Sequence, residues 1–210
     1  MEKQFFIFGD SITYGAIDRE GGWTNRLRKY LDNRMIDSGG KEFFMLYNLG
    51  VSGDTTADLL ARFEQELVAR MDASEEAIVI FAIGINDSQH TDKEDSYRVN
   101  PTDFESNIVK LHEQAKGKGA ARIVFIGLTD VDESRTMPVS WAKGKYYDNE
   151  SIQKYEKIIR AFCETNHLLF IPMRGVLSNA DLADGLHPNT RGFEKMFKVI
   201  KESVETSFLT

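Results

Sequence analysis

The chain has 210 residues, of which 41% are hydrophobic and 28% charged, and its net charge is −7. That balance fits a globular chain with a full-sized core and excludes a disordered one. The longest apolar run, Ala77 to Ile83, is far below the ~20 residues that a bilayer-crossing helix needs, and without a basic block neither nucleic acid nor an anionic membrane is an expected partner.

At the N-terminus, Met-Glu-Lys-Gln leads into only four apolar residues and then Gly9-Asp10. That is too short for a secretory signal, so the chain is expected to be cytoplasmic. From there, short apolar runs alternate with longer amphipathic stretches. Strands are expected at Gln4–Phe8, Phe43–Leu49, Ala77–Ile83, Arg122–Gly127 and Leu168–Ile171, each apolar on both sides of the pleat, as in a parallel sheet covered on both faces. Helices are expected at about Trp23–Ile36, Thr55–Arg70, Pro101–Lys116, Glu150–Thr165 and Thr190–Ser207, with Asp54 and the Pro101-Thr-Asp segment as start signals. The fourth helix carries the only cysteine, Cys163. A lone cysteine excludes an internal disulfide and an all-cysteine metal site, and its apolar neighbours Ile158, Ile159 and Phe162 suggest an inert, buried thiol. Five β-α repeats argue an α/β sandwich around a parallel sheet. With no linker or repeat in sight, residues 1–210 are read as one domain.

Two connections are long. Ser88 to Asn100 is almost entirely polar, and Thr129 to Asn149 carries Met137, Pro138, Trp141, Tyr146 and Tyr147, too aromatic for disorder. Loops of this length are usually functional, and both leave the carboxyl ends of strands, where ligands bind in an open parallel sheet.

Four stretches with chemical potential sit at those ends or before the last helix: Gly9-Asp10-Ser11-Ile12, Asn48 to Gly53, Gly84-Ile-Asn86-Asp87, and Asp184-Gly-Leu-His187. Acyl transfer needs a nucleophile with an adjacent base, and a carboxylate that fixes the tautomer of that base. Ser11 at a helix start, with His187 and Asp184, meets that need. In a helical turn, two residues three apart share a face. The Gly53 amide has no side chain in its way, and the Asn86 amide can present hydrogens to an oxyanion.

The four blocks resemble those of the SGNH hydrolases, also known as GDSL esterases and lipases, in order and over about residues 5 to 190. Isoleucine replaces the leucine of the GDSL name, which affects packing only. The resemblance implies a Ser11, His187, Asp184 triad, and an oxyanion hole from the Ser11 amide, the Gly53 amide and the Asn86 side chain. It also implies a three-layer α/β/α sandwich with a five-stranded parallel sheet. The Asp18–Trp23 and Tyr146–Glu150 segments look like those of bacterial cytosolic members.

Plainer readings stand beside these. Ser11 alone would pass for an N-cap, Gly53 for a loop glycine, and Asn86-Asp87 for a strand-end turn. Asp10 reads as a buried carboxylate bonded to backbone amides, supporting the nucleophile from behind. Asp184 and His187 would suit a metal, but His90, His112 and His167 are scattered, so neither metal nor cofactor is expected. His112 and His167 read as structural. His90, Trp141 and Tyr147 are the candidates for substrate contact, with an oligomer interface as the rival role for the aromatic loop. The reading is a serine esterase acting on short acyl groups on a polar alcohol, an acetylated carbohydrate for example. Within the same family a lysophospholipase or an acyl-thioesterase is the alternative. Outside enzymes, a flavodoxin-like module could hold a phosphate or flavin phosphate at Ser11-x-Thr13-x-Gly15.

Overall fold

The computed structural model describes residues 2–92 and 96–209; Lys93, Glu94 and Asp95 of the polar loop lie outside the described residues. Five parallel strands, β1 (Glu2–Gly9), β2 (Phe43–Gly50), β3 (Glu76–Ala82), β4 (Arg122–Ile126) and β5 (Leu169–Ile171), form one sheet in the order β2-β1-β3-β4-β5. Helices α2 (Gly22–Asp37) and α7 (Thr190–Phe208) pack against each other on one face. Helices α3 (Thr56–Val68), α4 (Pro101–Gly117) and α6 (Asn149–Asn166) line the other, which completes a three-layer α/β/α sandwich.

The central strands are apolar because both of their faces are covered. Phe5, Phe6, Ile7 and Phe8 of β1 and Ile78 to Phe81 of β3 have no solvent-accessible surface. On the α3/α4/α6 side a chain of rings crosses the sheet: Phe8 lies 4.7 Å from Phe63, Phe63 5.4 Å from Phe81, and Phe81 5.1 Å from Phe125. Each buried phenylalanine contributes roughly 1.5–3 kcal/mol of transfer free energy, so the sheet centre is the stiffest part on which to mount a site. Cys163 lies in this apolar region and burial pushes its thiol up to about 12, so it stays protonated and unreactive.

The expected strands and long helices match those observed to within about two residues. Start signals were less well placed. Helix α3 is capped by Thr55, whose hydroxyl accepts from the Asp58 amide while Asp58 accepts from the Thr55 amide. Asp54 instead pairs with Arg62 at 2.7 Å. Asn100 caps α4, with Pro101 in its first turn. Three short elements escaped periodicity because they are too short to show it: α1 (Ser11–Tyr14), α5 (Glu133–Thr136) and a 3₁₀ turn at Asn179–Asp181. The segment from Asp184 to His187 is not a helical turn but a bent loop. Gly185 sits there at φ +98°, a conformation that ends any helix.

Candidate active site

The 2-1-3-4-5 order places a topological switch point between β1 and β3, where open α/β sheets bind ligands. Ser11 follows β1, Gly53 follows β2 and Asn86 follows β3, on strands paired in register so that Gly9 lies beside Gly50 and Ala82.

Strand β1 stops on Gly-Asp-Ser for steric and electrostatic reasons. A Cβ on Gly9 would stand 2.3 Å from the Ala82 carbonyl oxygen, so only glycine lets the chain turn so close to β3. Asp10 then caps α1, its Oδ1 accepting from the Ile12 amide at 2.9 Å. Ser11 is thus the first residue of the turn, not its cap, and its hydroxyl is free to face outward. Asp10 itself is 2% exposed. Burial raises its carboxyl to about 7, against the Ile12 hydrogen bond and the nearby His187 ring.

Ser11 Oγ lies 2.9 Å from His187 Nε2, and His187 Nδ1 lies 2.7 Å from Asp184 Oδ2. The other Asp184 oxygen accepts from the Leu186 and His187 amides at 3.0 and 2.8 Å. Burial works against the Asp184 carboxylate, but the His187 ring and these two amides outweigh it and hold the group below its ordinary range. Because the carboxylate accepts at Nδ1, Nε2 is left as the acceptor facing Ser11. The Thr129–Asn149 connection holds this loop in place. Arg135 donates to the carbonyls of Leu182 and Ala183 at 3.3 and 2.6 Å, and the Asp132 amide donates to the Gly185 carbonyl at 2.8 Å.

Asn86 is fixed at both ends of its amide. Nδ2 donates to the Asp54 carbonyl at 2.9 Å and Oδ1 accepts from the Tyr147 hydroxyl at 2.9 Å, which leaves the second Nδ2 hydrogen for the cleft. Tyr147 in turn accepts from Gln89 at 2.6 Å, and burial raises its phenol so that it stays a donor. Gly53, at φ +88°, has open space where a Cβ would stand, and among the described residues its N–H donates to no protein group. Arg98 donates to the Gly53 carbonyl at 3.0 Å and braces that peptide from behind. Next to Asn86, Asp87 takes both the amide and the hydroxyl of Thr56. Burial lifts Asp87 to about 6 against those bonds, and its role is to join β3 to the start of α3.

Ser11, Gly53, Asn86 and His187 line one cleft of about 390 Å³. Its lips are apolar and open: Ile17 is 61% and Trp141 49% exposed, and the Trp141 ring centroid lies 5.9 Å from that of His187. Ile17 holds φ +63°, a strained conformation for a β-branched residue. Two cations, Arg98 and Lys145, complete the rim. Tyr147 is among the residues lining the cleft, 3% exposed and tied to Asn86. His90 does not line the cleft: it pairs with Asp148 at 2.6 Å and lines a separate groove. Sequence reasoning missed Ile17 and Arg98, whose roles depend on loop contacts with no short-range signature. His112 packs edge-on against Phe162, and His167 ends α6 at φ +54°; both are structural. Among the described residues no cluster of side chains could hold a metal ion, and no helix is long and apolar enough to cross a membrane.

A model of the GDSL-like lipase/acylhydrolase family matches residues 7–195. A multidomain esterase from Ruminococcus flavefaciens is 25% identical over 229 residues, covering 94% of this chain but only 28% of that protein. Among solved structures, an α/β hydrolase enzyme from the metagenome of Lake Arreo, Spain, superimposes with a TM-score of 0.72 at 20% identity, over 95% of this chain and 94% of the other. A lipolytic protein of the G-D-S-L family from Veillonella parvula gives 0.72 at 19%, over 98% and 100%. An acetylxylan esterase from Geobacillus stearothermophilus gives 0.70 at 21%, over 97% and 94%. At these identities the structures establish a common fold.

Proposed function

The chain belongs to the GDSL-like lipase/acylhydrolase family, and we propose that residues 1–210 form one serine hydrolase domain that cleaves carboxylic esters of short acyl groups on a polar alcohol. The observation that carries this reading is the relay of Ser11 Oγ, His187 and Asp184 at 2.9 and 2.7 Å on the same cleft as Gly53 and Asn86.

In the proposed reaction His187 Nε2 takes the Ser11 proton as Oγ attacks the ester carbonyl, and Asp184 stabilises the imidazolium that forms. The negative charge that develops on the carbonyl oxygen meets the Gly53 and Ser11 amides and the free Nδ2 hydrogen of Asn86, donors already oriented before the reaction begins. His187 returns the proton to the departing alcohol. Water, activated by the same ring, then releases the acyl group from Ser11. The large exposed apolar side chains at the cleft are confined to its two lips, Ile17 and Trp141, which favours an acetyl to butyryl chain over a long one. The cationic, hydrogen-bonding rim favours a polar alcohol, as in a sugar ester; a long-chain lipid would call for a larger apolar patch. A phosphate- or flavin-holding role gives the His187–Asp184 pair nothing to do.

A fluorophosphonate is expected to label wild-type protein once and Ser11→Ala not at all. Across p-nitrophenyl esters from acetate to palmitate, kcat/KM is expected to peak at four carbons or fewer. Labelling that persists in Ser11→Ala removes the nucleophile assignment, and a peak at eight carbons or more moves the substrate toward lipids or acyl thioesters.

A further inference from the structure

One short antiparallel bridge separates two hollows. The His90 amide donates to the Tyr146 carbonyl at 3.1 Å, and the Tyr146 amide donates back to the His90 carbonyl at 2.9 Å. Side chains alternate across such a ribbon. Gln89, Lys145 and Tyr147 therefore face the Ser11 cleft, while His90, Tyr146 and Asp148 face a second groove of about 940 Å³. The groove is the larger of the two, and none of the chemistry described above uses it.

We propose that this groove binds further sugar units of an acetylated oligosaccharide whose ester lies in the Ser11 cleft; the proposal rests on the esterase reading and names its substrate class. The groove carries ring faces and hydrogen-bonding groups together. Tyr146 is stacked on His90 with centroids 5.7 Å apart and planes 21° apart, and Tyr97 meets the same imidazole edge-on at 6.0 Å. His90 takes one face of Tyr146, and Lys154 Nζ stands over the Tyr97 ring 5.1 Å from its centroid; the other face of Tyr146 is the one offered to the C–H face of a pyranose. The stack is built rigidly. His90 Nδ1 lies 2.7 Å from the Thr91 carbonyl and Nε2 2.6 Å from Asp148 Oδ2, while Asp148 Oδ1 caps α6 through the Ser151 amide at 2.7 Å. A binding surface that is ordered in advance loses little entropy when the ligand arrives.

Asp92, Glu133, Asp148 and Glu150 line the groove with Lys154 and Lys157, so carboxylates outnumber ammonium groups while the surface still offers hydrogen-bond donors and acceptors of both signs. A phosphate or a polyanion would face the carboxylates, and an acyl chain would find no continuous apolar wall. A neutral polyhydroxylated chain matches both the rings and the mixed charges. The two hollows also share a lip. Met137, 46% exposed, lines the groove, and Trp141, 49% exposed, lines the cleft, on the same loop. A chain that crosses the bridge would touch both.

The test separates binding from chemistry. Titration of Ser11→Ala protein with unacetylated xylo-, cello- and manno-oligosaccharides of increasing length is expected to give affinity that grows with length for at least one series. Adding Tyr146→Ala is expected to weaken that affinity about three- to tenfold, the worth of one aromatic contact, and Lys154→Ala at an exposed helix position to weaken it about two- to tenfold, the worth of one hydrogen bond. Lys154→Ala guards against a local collapse of the bridge in Tyr146→Ala. No binding by any series, or binding indifferent to both substitutions, overturns the proposal. Wild-type hydrolysis of p-nitrophenyl acetate is measured in parallel. Ester cleavage without oligosaccharide binding sinks the groove and spares the esterase reading; oligosaccharide binding without ester cleavage does the reverse.

Discussion

Replacing Tyr147 by phenylalanine removes one oxygen atom and tests how the proposed oxyanion site is held. The hydroxyl donates to Asn86 Oδ1 at 2.9 Å and accepts from Gln89 Nε2 at 2.6 Å, in a position 3% exposed. Its loss leaves two buried polar atoms without partners, and each costs about 1–3 kcal/mol. The larger consequence falls on Asn86. Its amide is then fixed only through Nδ2 to the Asp54 carbonyl and can turn, so the second Nδ2 hydrogen no longer points steadily at the cleft. Deleting an oxyanion donor outright, as in Asn86→Ala, is expected to lower kcat about 10²–10³-fold. Tyr147→Phe is expected to reach part of that, roughly ten- to a hundredfold, with KM little changed. The assay is a double-mutant cycle on p-nitrophenyl acetate. If Tyr147 acts through Asn86, then Asn86→Ala/Tyr147→Phe is no slower than Asn86→Ala. Full additivity of the two losses, or wild-type kcat in Tyr147→Phe, refutes the reasoning.

Three further outcomes follow from geometry. Asp184→Asn should keep the fold, since Oδ1 can still take the Leu186 and His187 amides, but kcat should fall about ten-thousand-fold as the imidazole loses its orienting anion; near-wild-type kcat would take Asp184 out of the relay. Asp10, ordinarily at 3.8 and raised here to about 7, binds its proton more tightly when folded. The stability it lends is therefore full below about pH 4 and is lost as pH rises toward 7 and beyond. Asp10→Asn should thus gain on wild type by up to about 4 kcal/mol between pH 4 and 8, read by denaturant melts at each pH; a pH-independent difference contradicts it. Ile17→Gly should relieve about 1–2 kcal/mol of left-handed strain and raise Tm by a few degrees, while lowering the ratio of kcat/KM for butyrate to that for acetate; a lower Tm with an unchanged ratio would mean that Ile17 is neither strained nor in contact with the acyl group.

The sheet was legible because burial on both faces writes a continuous apolar run. Phe5 to Phe8 and Ile78 to Phe81 could hardly be anything else in a chain of alternating elements. The motifs at the strand ends were legible because glycine, aspartate and asparagine there break the pattern abruptly. What failed was information that depends on distant pairing. The pairing of Asp184 with His187 was anticipated, but as a helical turn; the backbone is a bend at Gly185, held by Arg135 and Asp132 from a loop some fifty residues earlier. His90 was expected near the mouth of the cleft. Its partner across the bridge, Tyr146, decides that it faces the other way, and no local signal announces that pairing. The Thr55-x-x-Asp58 capping box does carry a signal in its spacing, but Asp54, the neighbouring cap-type residue, was read as the helix start in its place.

Ser11 and His187 touch at 2.9 Å yet stand 176 positions apart in the chain. The ribosome therefore delivers the serine well before the imidazole. At about 5–20 residues per second, roughly 9–35 s separate the two. Throughout that interval the nascent polypeptide carries Ser11 without its His187 partner. In the proposed mechanism the base reaches Ser11 only when the loop before α7 settles against the end of β1, so docking of that loop and activation of the hydroxyl are one event.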